Sequence, residues 1–235
     1  MFNFVQQNKG KSKFRIALWG ETKTGKTTTA LKLASQFGEK ILVIDTENDA
    51  SAMHADDYNF DVLDPPLQKY SPVVLANLII EAQKTYDVLL IDSLSEFWAG
   101  VGGAMEMLSK ATSSFGGNSF FAWSKITPVQ NKMVRAILNC SVPIICTMES
   151  KDVYEVAGSG QQFQVSLTGT VPNQRKRVPY IFNVLIKTST REKGKVFNAL
   201  IESHYRELHG LSVDNIDIDW IQNNILTLRE SNKNE

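Results

Sequence analysis

The sequence predicts an α/β protein: a mostly parallel central sheet flanked by helices, with C-terminal β-hairpins and a terminal helix. Three observations carry this. Between residues 14 and 37 a buried strand runs into a glycine-containing loop and then a helix. Short apolar strands then alternate with amphipathic helical stripes as far as about residue 149. Beyond Glu149 the alternation gives way to extended segments joined in pairs by turn residues.

In chain order, Phe14 to Trp19 reads as the first buried strand, and Thr28 to Phe37 as a helix with Ala30, Leu33, Ala34 and Phe37 on one face. Gly38 stops that helix. Lys40 to Asp45 is a second apolar strand, ending in Thr46-Glu47, and a short strand follows at Phe60 to Leu63. Ser71-Pro72 opens a helix, serine as N-cap and proline in the first helical position, with Leu75, Leu78, Ile79, Ala82 and Tyr86 as its apolar stripe. Asp87 to Ser93 is another buried strand. Residues 95–118 are rich in Gly and Ser and read as loose, with a short helix around Met105, Met107 and Leu108. Thr127-Pro128 restarts a helix that runs to about Asn139, and Pro143 to Met148 is the fourth core strand. Hairpins are predicted for Asp152–Val156 with Gln161–Val165, and for Tyr180–Ile186 with Lys195–Ile201. A helix from about Asp217 to Leu228, with Ile218, Ile221, Ile225 and Leu228 inward, precedes a polar tail. This divides the chain into a core of residues 1–210 and a C-terminal helix and tail of residues 211–235.

The 235 residues suffice for one substantial core, and 43% hydrophobic with 21% charged residues is an ordinary globular composition. The 25 basic and 25 acidic side chains balance, so no whole-molecule field announces nucleic acid or membrane, although a local basic groove is compatible with neutrality. Cys140 and Cys146 have no metal-ligand spacing and read as core thiols of a reducing compartment. The lack of a long apolar run or a signal-like start makes a cytoplasmic protein without a membrane partner the expectation.

The chemistry concentrates in Gly20-Glu21-Thr22-Lys23-Thr24-Gly25-Lys26-Thr27, which fits G-x-x-x-x-G-K-[ST] at every fixed position. Glycines let the backbone curl so that its N–H groups face a phosphate. Lys26 brings a point charge to the β- and γ-phosphates, the Thr27 hydroxyl can hold Mg²⁺, and Thr28 begins the helix behind. Asp92 ends a strand, where an aspartate can bear on the same Mg²⁺. Its successor is Ser93 and not a glutamate, so a water-activating base must come from elsewhere, and Glu47 at the end of the second strand is the candidate. Asn131-Lys132-Met133-Val134 lacks the aspartate of the guanine-specific N-K-x-D motif, which favours ATP.

Together, residues Gly20 to Thr27, Ile44-Asp45-Thr46-Glu47 and Leu90-Ile91-Asp92-Ser93 resemble the RecA/RadA recombinase core. More closely, the chain is similar to small phage RecA-like ATP-binding proteins linked to single-strand annealing and recombination. That likeness extends through Asn118 to Trp123, Thr127-Pro128 and Thr147 to Lys151, over about residues 14–200. The resemblance implies a Mg²⁺-dependent ATPase with Glu47 as catalytic base beside Lys26. It implies self-association into a ring or filament, single-stranded DNA as partner, a phage single-strand-binding protein as a further one, and host cytoplasm as location. It places His54 where the family stacks an aromatic on adenine, and assigns DNA to mobile loops at residues 96–118 and 149–170. In the first, Phe97, Trp98 and Phe115 could stack on bases or seal the core. The phage pattern has Arg where this chain has Glu149, which shifts a γ-phosphate-sensing charge to Lys151 or removes it.

Basic clusters at Lys9, Lys11, Lys13 and Arg15, at Arg175-Lys176-Arg177, and at Lys187, Arg191, Lys193 and Lys195 could track phosphates or reach a neighbour's nucleotide. His204 and His209 have no ligand spacing and read as surface residues. Two rival readings stay open: a nucleotide-gated loader or switch acting through protein partners, and a small-molecule phosphate-loop kinase.

Overall fold

The computed structural model describes residues 14–47, 50–64, 66–159, 162–191 and 196–228. Its centre is a sheet in the order β3-β2-β4-β5-β1-β7-β8-β9. These strands are β1 (Arg15–Gly20), β2 (Ile41–Asp45), β3 (Asp61–Val62), β4 (Val88–Asp92), β5 (Ile144–Ser159), β7 (Val184–Arg191), β8 (Val196–Ser203) and β9 (Ser212–Val213). All pairings from β3 across to β7 are parallel, and β8 and β9 add antiparallel neighbours. The fold class expected from the sequence is the one observed.

Strand residues alternate between two faces, as the pleat requires. Ala17, Trp19, Ile44, Ile91 and Cys146 pack toward α2 (Pro72–Ala82) and the helix Ser119–Asn139. Ile16, Leu18, Val43, Leu90 and Ile145 pack on the other face against α1 (Lys26–Phe37) and the C-terminal helix α6 (Ile218–Ile221) with its π-helical continuation Gln222–Leu226. Each fully buried Leu or Ile among them contributes about 1.5–3 kcal/mol. Ser71 caps α2 as expected, its hydroxyl accepting the Val73 N–H at 3.3 Å. Both cysteines are buried and free.

The structure corrects four expectations. The short helix expected around Met105, Met107 and Leu108 is present as the longer α4 (Ala104–Ser114), but the stretch read as loose before it also holds a helix, α3 (Glu96–Ala99), and the glycines fall in the turns around the pair. Ala104 and Trp98 anchor this pair in a small core with Ile126. The helix expected to restart at Thr127-Pro128 is instead the C-terminal half of α5, a single 21-residue helix (Ser119–Asn139) with Pro128 inside it. Its inward residues Ala122, Ile126, Met133 and Ile137 hold one stripe across the proline, and Pro128 and Ser124 both face solvent. Water can therefore take the Ser124 carbonyl that Pro128 leaves without a helical donor. Asn118 caps α5, accepting the N–H groups of Phe120 at 3.1 Å and Phe121 at 3.4 Å.

The first hairpin is much longer than expected. Beyond the core, β5 continues from Ser150 to Ser159 as one strand of an antiparallel arm, paired with β6 (Gln162–Pro172). Finally, Ile218 of the C-terminal helix is exposed, while Ile221 and Ile225 are buried as expected. Ile216 joins them in the core that also holds β1, and β9 pairs with β8.

Candidate active site

Parallel strands bring their C-terminal ends to one sheet edge, and register decides which residues meet there. Asp45 of β2 stands beside Asp92 of β4, and Gly20 of β1 is paired with Glu149 of β5 on one side and Thr188 of β7 on the other.

The loop from Gly20 to Gly25 leaves this edge and enters α1. A Cβ on Gly20 would lie 2.3 Å from the Thr188 carbonyl oxygen, so no other residue fits between the strands here. Gly25 has φ 79°, the left-handed turn that starts α1 with its first N–H groups aimed back into the loop. Thr24 fixes the loop from within: its hydroxyl bonds the Glu21 carbonyl at 2.8 Å and the Thr188 hydroxyl at 2.8 Å. Glu21, Thr22 and Lys23 face solvent, whereas Thr27 and Thr28 are half-buried. Gly20→Ala is expected to cost about 1–3 kcal/mol through this clash, lowering Tm in a thermal melt; an unshifted Tm would show that β1 and β7 are not so closely held.

Half-buried Lys26 donates from Nζ to the Glu21 carbonyl at 2.7 Å. Burial lowers its pKa, and the charges of Glu47, Asp92 and Glu149 oppose the shift. Glu47 is exposed as a residue, yet its carboxyl loses enough water to the surrounding walls to be pushed up to about 7. Asp92 adds to the rise and Lys26 opposes it. The backbone around Glu47 is set by Asp45, which accepts the Glu47 N–H at 2.8 Å and the Ser51 N–H at 2.9 Å. Thr46 stitches the strands, its hydroxyl taking the Ser93 N–H at 2.7 Å and its own N–H donating to the Asp92 carbonyl at 2.7 Å.

Asp92 is buried, with the Thr147 hydroxyl donating to its Oδ1. Oδ2 is buried with no hydrogen-bond partner. Burial raises the Asp92 pKa, and the hydroxyls of Thr147 and Thr27 oppose that rise, which puts Thr27 beside the carboxylate. A buried carboxylate oxygen without a donor, next to a threonine hydroxyl, suits a hydrated cation. Among the described residues no group of three or more His, Cys, Asp and Glu side chains forms a metal cage, so an ion here would rely on phosphate oxygens for its remaining ligands.

Thus Lys26, Thr27, Glu47 and Asp92 come together. His54 ends a 3-10 turn (Ala50–His54) with Nε2 3.5 Å from the Thr28 hydroxyl, beside the start of α1. Sequence reading gave no site role to Asp45, whose bonds are local, or to Thr46, Thr147 and Thr188, whose bonds join residues distant in the chain. Glu149 enters the same electrostatic group, its N–H on the Ser95 hydroxyl at 2.9 Å. Lys151 instead lies on the exposed arm and lines a cleft with Trp19 and Tyr180.

Of the aromatics after β4 that could stack on bases or seal the core, Phe97 and Trp98 seal it. Phe97 is fully buried, and Trp98 is buried, stacked 6.2 Å from Trp123 between ring centroids. Phe115 lies under Lys125, whose Nζ is 4.6 Å from the ring centroid, beside the exposed Phe120 and Phe121. Of the basic clusters, Arg15 is tied to the Ile181 carbonyl at 2.7 Å. Arg175 lies over the Trp123 ring and bonds Thr127 at 3.2 Å. Lys176 and Arg177 are exposed, and Lys187 sits over Trp19. Lys9, Lys11, Lys13, Lys193 and Lys195, and the side chain of Arg191, lie outside the described residues. Among the described residues, no helix is long and apolar enough to cross a membrane.

A model of the AAA domain family AAA_24 matches residues 12–209. No curated protein matches the chain. Among solved structures it is similar to the crystal structure of the RadB recombinase, with 17% identity, 85% of each chain covered and a TM-score of 0.49. It is also similar to a KaiC-like protein from the hyperthermophilic archaeon Pyrococcus horikoshii OT3, with 18% identity, 85% of this chain and 83% of that one covered, and a TM-score of 0.48.

Proposed function

Because the chain belongs to the AAA domain family AAA_24, we propose that it is a Mg²⁺-dependent ATPase whose turnover is coupled to single-stranded DNA in phage-type homologous recombination or strand annealing. The observation that carries the ATPase half is the convergence of Lys26, Glu47 and Asp92 on one sheet edge beside a phosphate-loop backbone. The DNA half rests on the motif resemblance described above.

The chain's residues divide the work as follows. The loop amides and the first turn of α1 bind the phosphates, and Lys26 exchanges the Glu21 carbonyl for a phosphate oxygen. Thr27 and Asp92 would hold Mg²⁺, which would supply positive charge to the phosphates. His54, beside Thr28, is the residue that the family resemblance sets against adenine. Glu47 orients the attacking water and takes its proton, a task suited to a carboxyl whose pKa stands at about 7. Lys26 is the only cation acting on Glu47 and Asp92 among the described residues. A second cation from a neighbouring copy would complete the site, so assembly on DNA into a ring or filament raises a slow basal rate. A phage single-strand-binding protein is the expected further partner.

A labelled single-stranded oligonucleotide titrated with salt, with and without ATP, tests the coupling. ATP-dependent binding that weakens steeply with salt is expected, together with faster phosphate release when the oligonucleotide is present. Absence of binding in every nucleotide state would make the protein a nucleotide-gated switch acting through protein partners.

A further inference from the structure

Away from the phosphate loop, a cleft of about 780 Å³ opens between the foot of the β5–β6 arm and the β1–β7 pair. Its lining includes Trp19, Lys151, Lys176, Tyr180 and His209, with Glu202 the one carboxylate. Tyr180 is 73% exposed, so its ring is available at the rim. Trp19 is buried, and its indole N–H has no acceptor. The Lys187 ammonium lies 4.9 Å from the centre of the Trp19 ring. His209 accepts the Ser203 N–H on Nδ1 at 3.2 Å, which leaves Nε2 to carry the ring proton.

The walls around these groups are mostly apolar, from Val153, Val171, Pro172, Phe182 and Leu185, so the cleft sets two lysines and an exposed phenol ring beside an apolar floor. Such a surface complements a ligand that joins a flat ring to negative charge. At the floor, β1 is paired on both sides by β5 and β7 and offers no edge for strand addition. A duplex keeps its bases stacked and out of reach of such a floor.

We propose that this cleft receives one unstacked nucleotide of a single strand, its base against Tyr180 and the apolar floor, and its phosphates near Lys151 and Lys176. The assignment rests on the DNA reading above and specifies where that strand is held. It also gives the cleft a route to the triphosphate site. Trp19 is followed directly by Gly20 of the phosphate loop, and Lys187 directly by Thr188, which bonds Thr24. The two sites therefore share neighbouring residues of the same pair of strands.

The test uses the full chain and a fluorescein-labelled oligo-dT of about 20 nucleotides, long enough for the site sizes of single-strand grooves. Anisotropy is read with Mg²⁺ and a non-hydrolysable ATP analogue. Tyr180→Ala, at an exposed position, is expected to weaken binding about 5- to 100-fold and to leave analogue affinity unchanged. Lys151→Ala/Lys176→Ala should lower the slope of log affinity against log salt by about 1.4. If the wild type binds and both variants bind equally well, the cleft assignment fails while the DNA reading stands. If the wild type binds no oligonucleotide in any nucleotide state, the DNA reading itself fails and the cleft assignment with it. Loss of self-association in sedimentation, with oligonucleotide binding intact, would make the cleft a protein-docking face and also overturn the proposal.

Discussion

Glu47→Gln is expected to lower the rate of ATP hydrolysis about 10²- to 10⁴-fold while ATP affinity stays within about threefold of the wild type. The amide keeps the size and the solvent-facing position of the carboxylate but cannot take a proton from water. Nothing in the binding of phosphate by Lys26 or the loop backbone depends on that exchange. The pH profile gives an independent check. Burial and Asp92 push the Glu47 carboxyl up to about 7. The base acts when deprotonated, so kcat/KM of the wild type should rise with pH up to about 7 and fall about tenfold per unit below it. The residual rate of the glutamine variant should lack that limb. Steady-state phosphate release and equilibrium binding of a fluorescent ATP analogue measure the two quantities, and unchanged turnover in Glu47→Gln would remove the assignment of the base.

Lys26→Ala should act on the other quantity. A charged hydrogen bond contributes about 1.5–3 kcal/mol, so losing it should weaken nucleotide binding about 10- to 150-fold. Among the described residues Lys26 bonds only the Glu21 carbonyl, which the exposed loop can return to water, and Tm should therefore barely move. The substitution also removes the charge that opposes the rise of the Glu47 pKa. The surviving activity should consequently need a higher pH than the wild type does, a shift that a purely steric effect would not produce. Wild-type affinity in the variant would place the triphosphate elsewhere.

How much of this was legible in the chain varies with the range of the interactions involved. The phosphate loop, the strands ending at Asp45 and Asp92, and the N-cap at Ser71 are local patterns, and each lies where its residues indicated. The helices over residues 96–114 were obscured by glycine and serine, which local propensity assigns to loops. They form because Trp98 and Ala104 bury against Ile126, a contact between segments separated in sequence. Pro128 misled for a similar reason: local preference makes it a helix start, but the apolar stripe through Ile126 and Met133 carries α5 past it. At the site, the sequence indicated Lys26, Thr27, Glu47 and Asp92. Of the groups that orient them, Thr46, Thr147 and Thr188 act across strands, and single-sequence periodicity is blind to register; Asp45 acts locally, on the Glu47 and Ser51 N–H groups.

Strand β5 has a mechanical consequence. The same unbroken backbone that sets Glu149 beside Gly20 continues as one rail of the arm to Ser159. At about 3.3 Å per residue, the ten residues past Glu149 extend about 30 Å from the edge of the phosphate loop. A tilt of about 5° at the foot of the arm would carry its far end by about 3 Å.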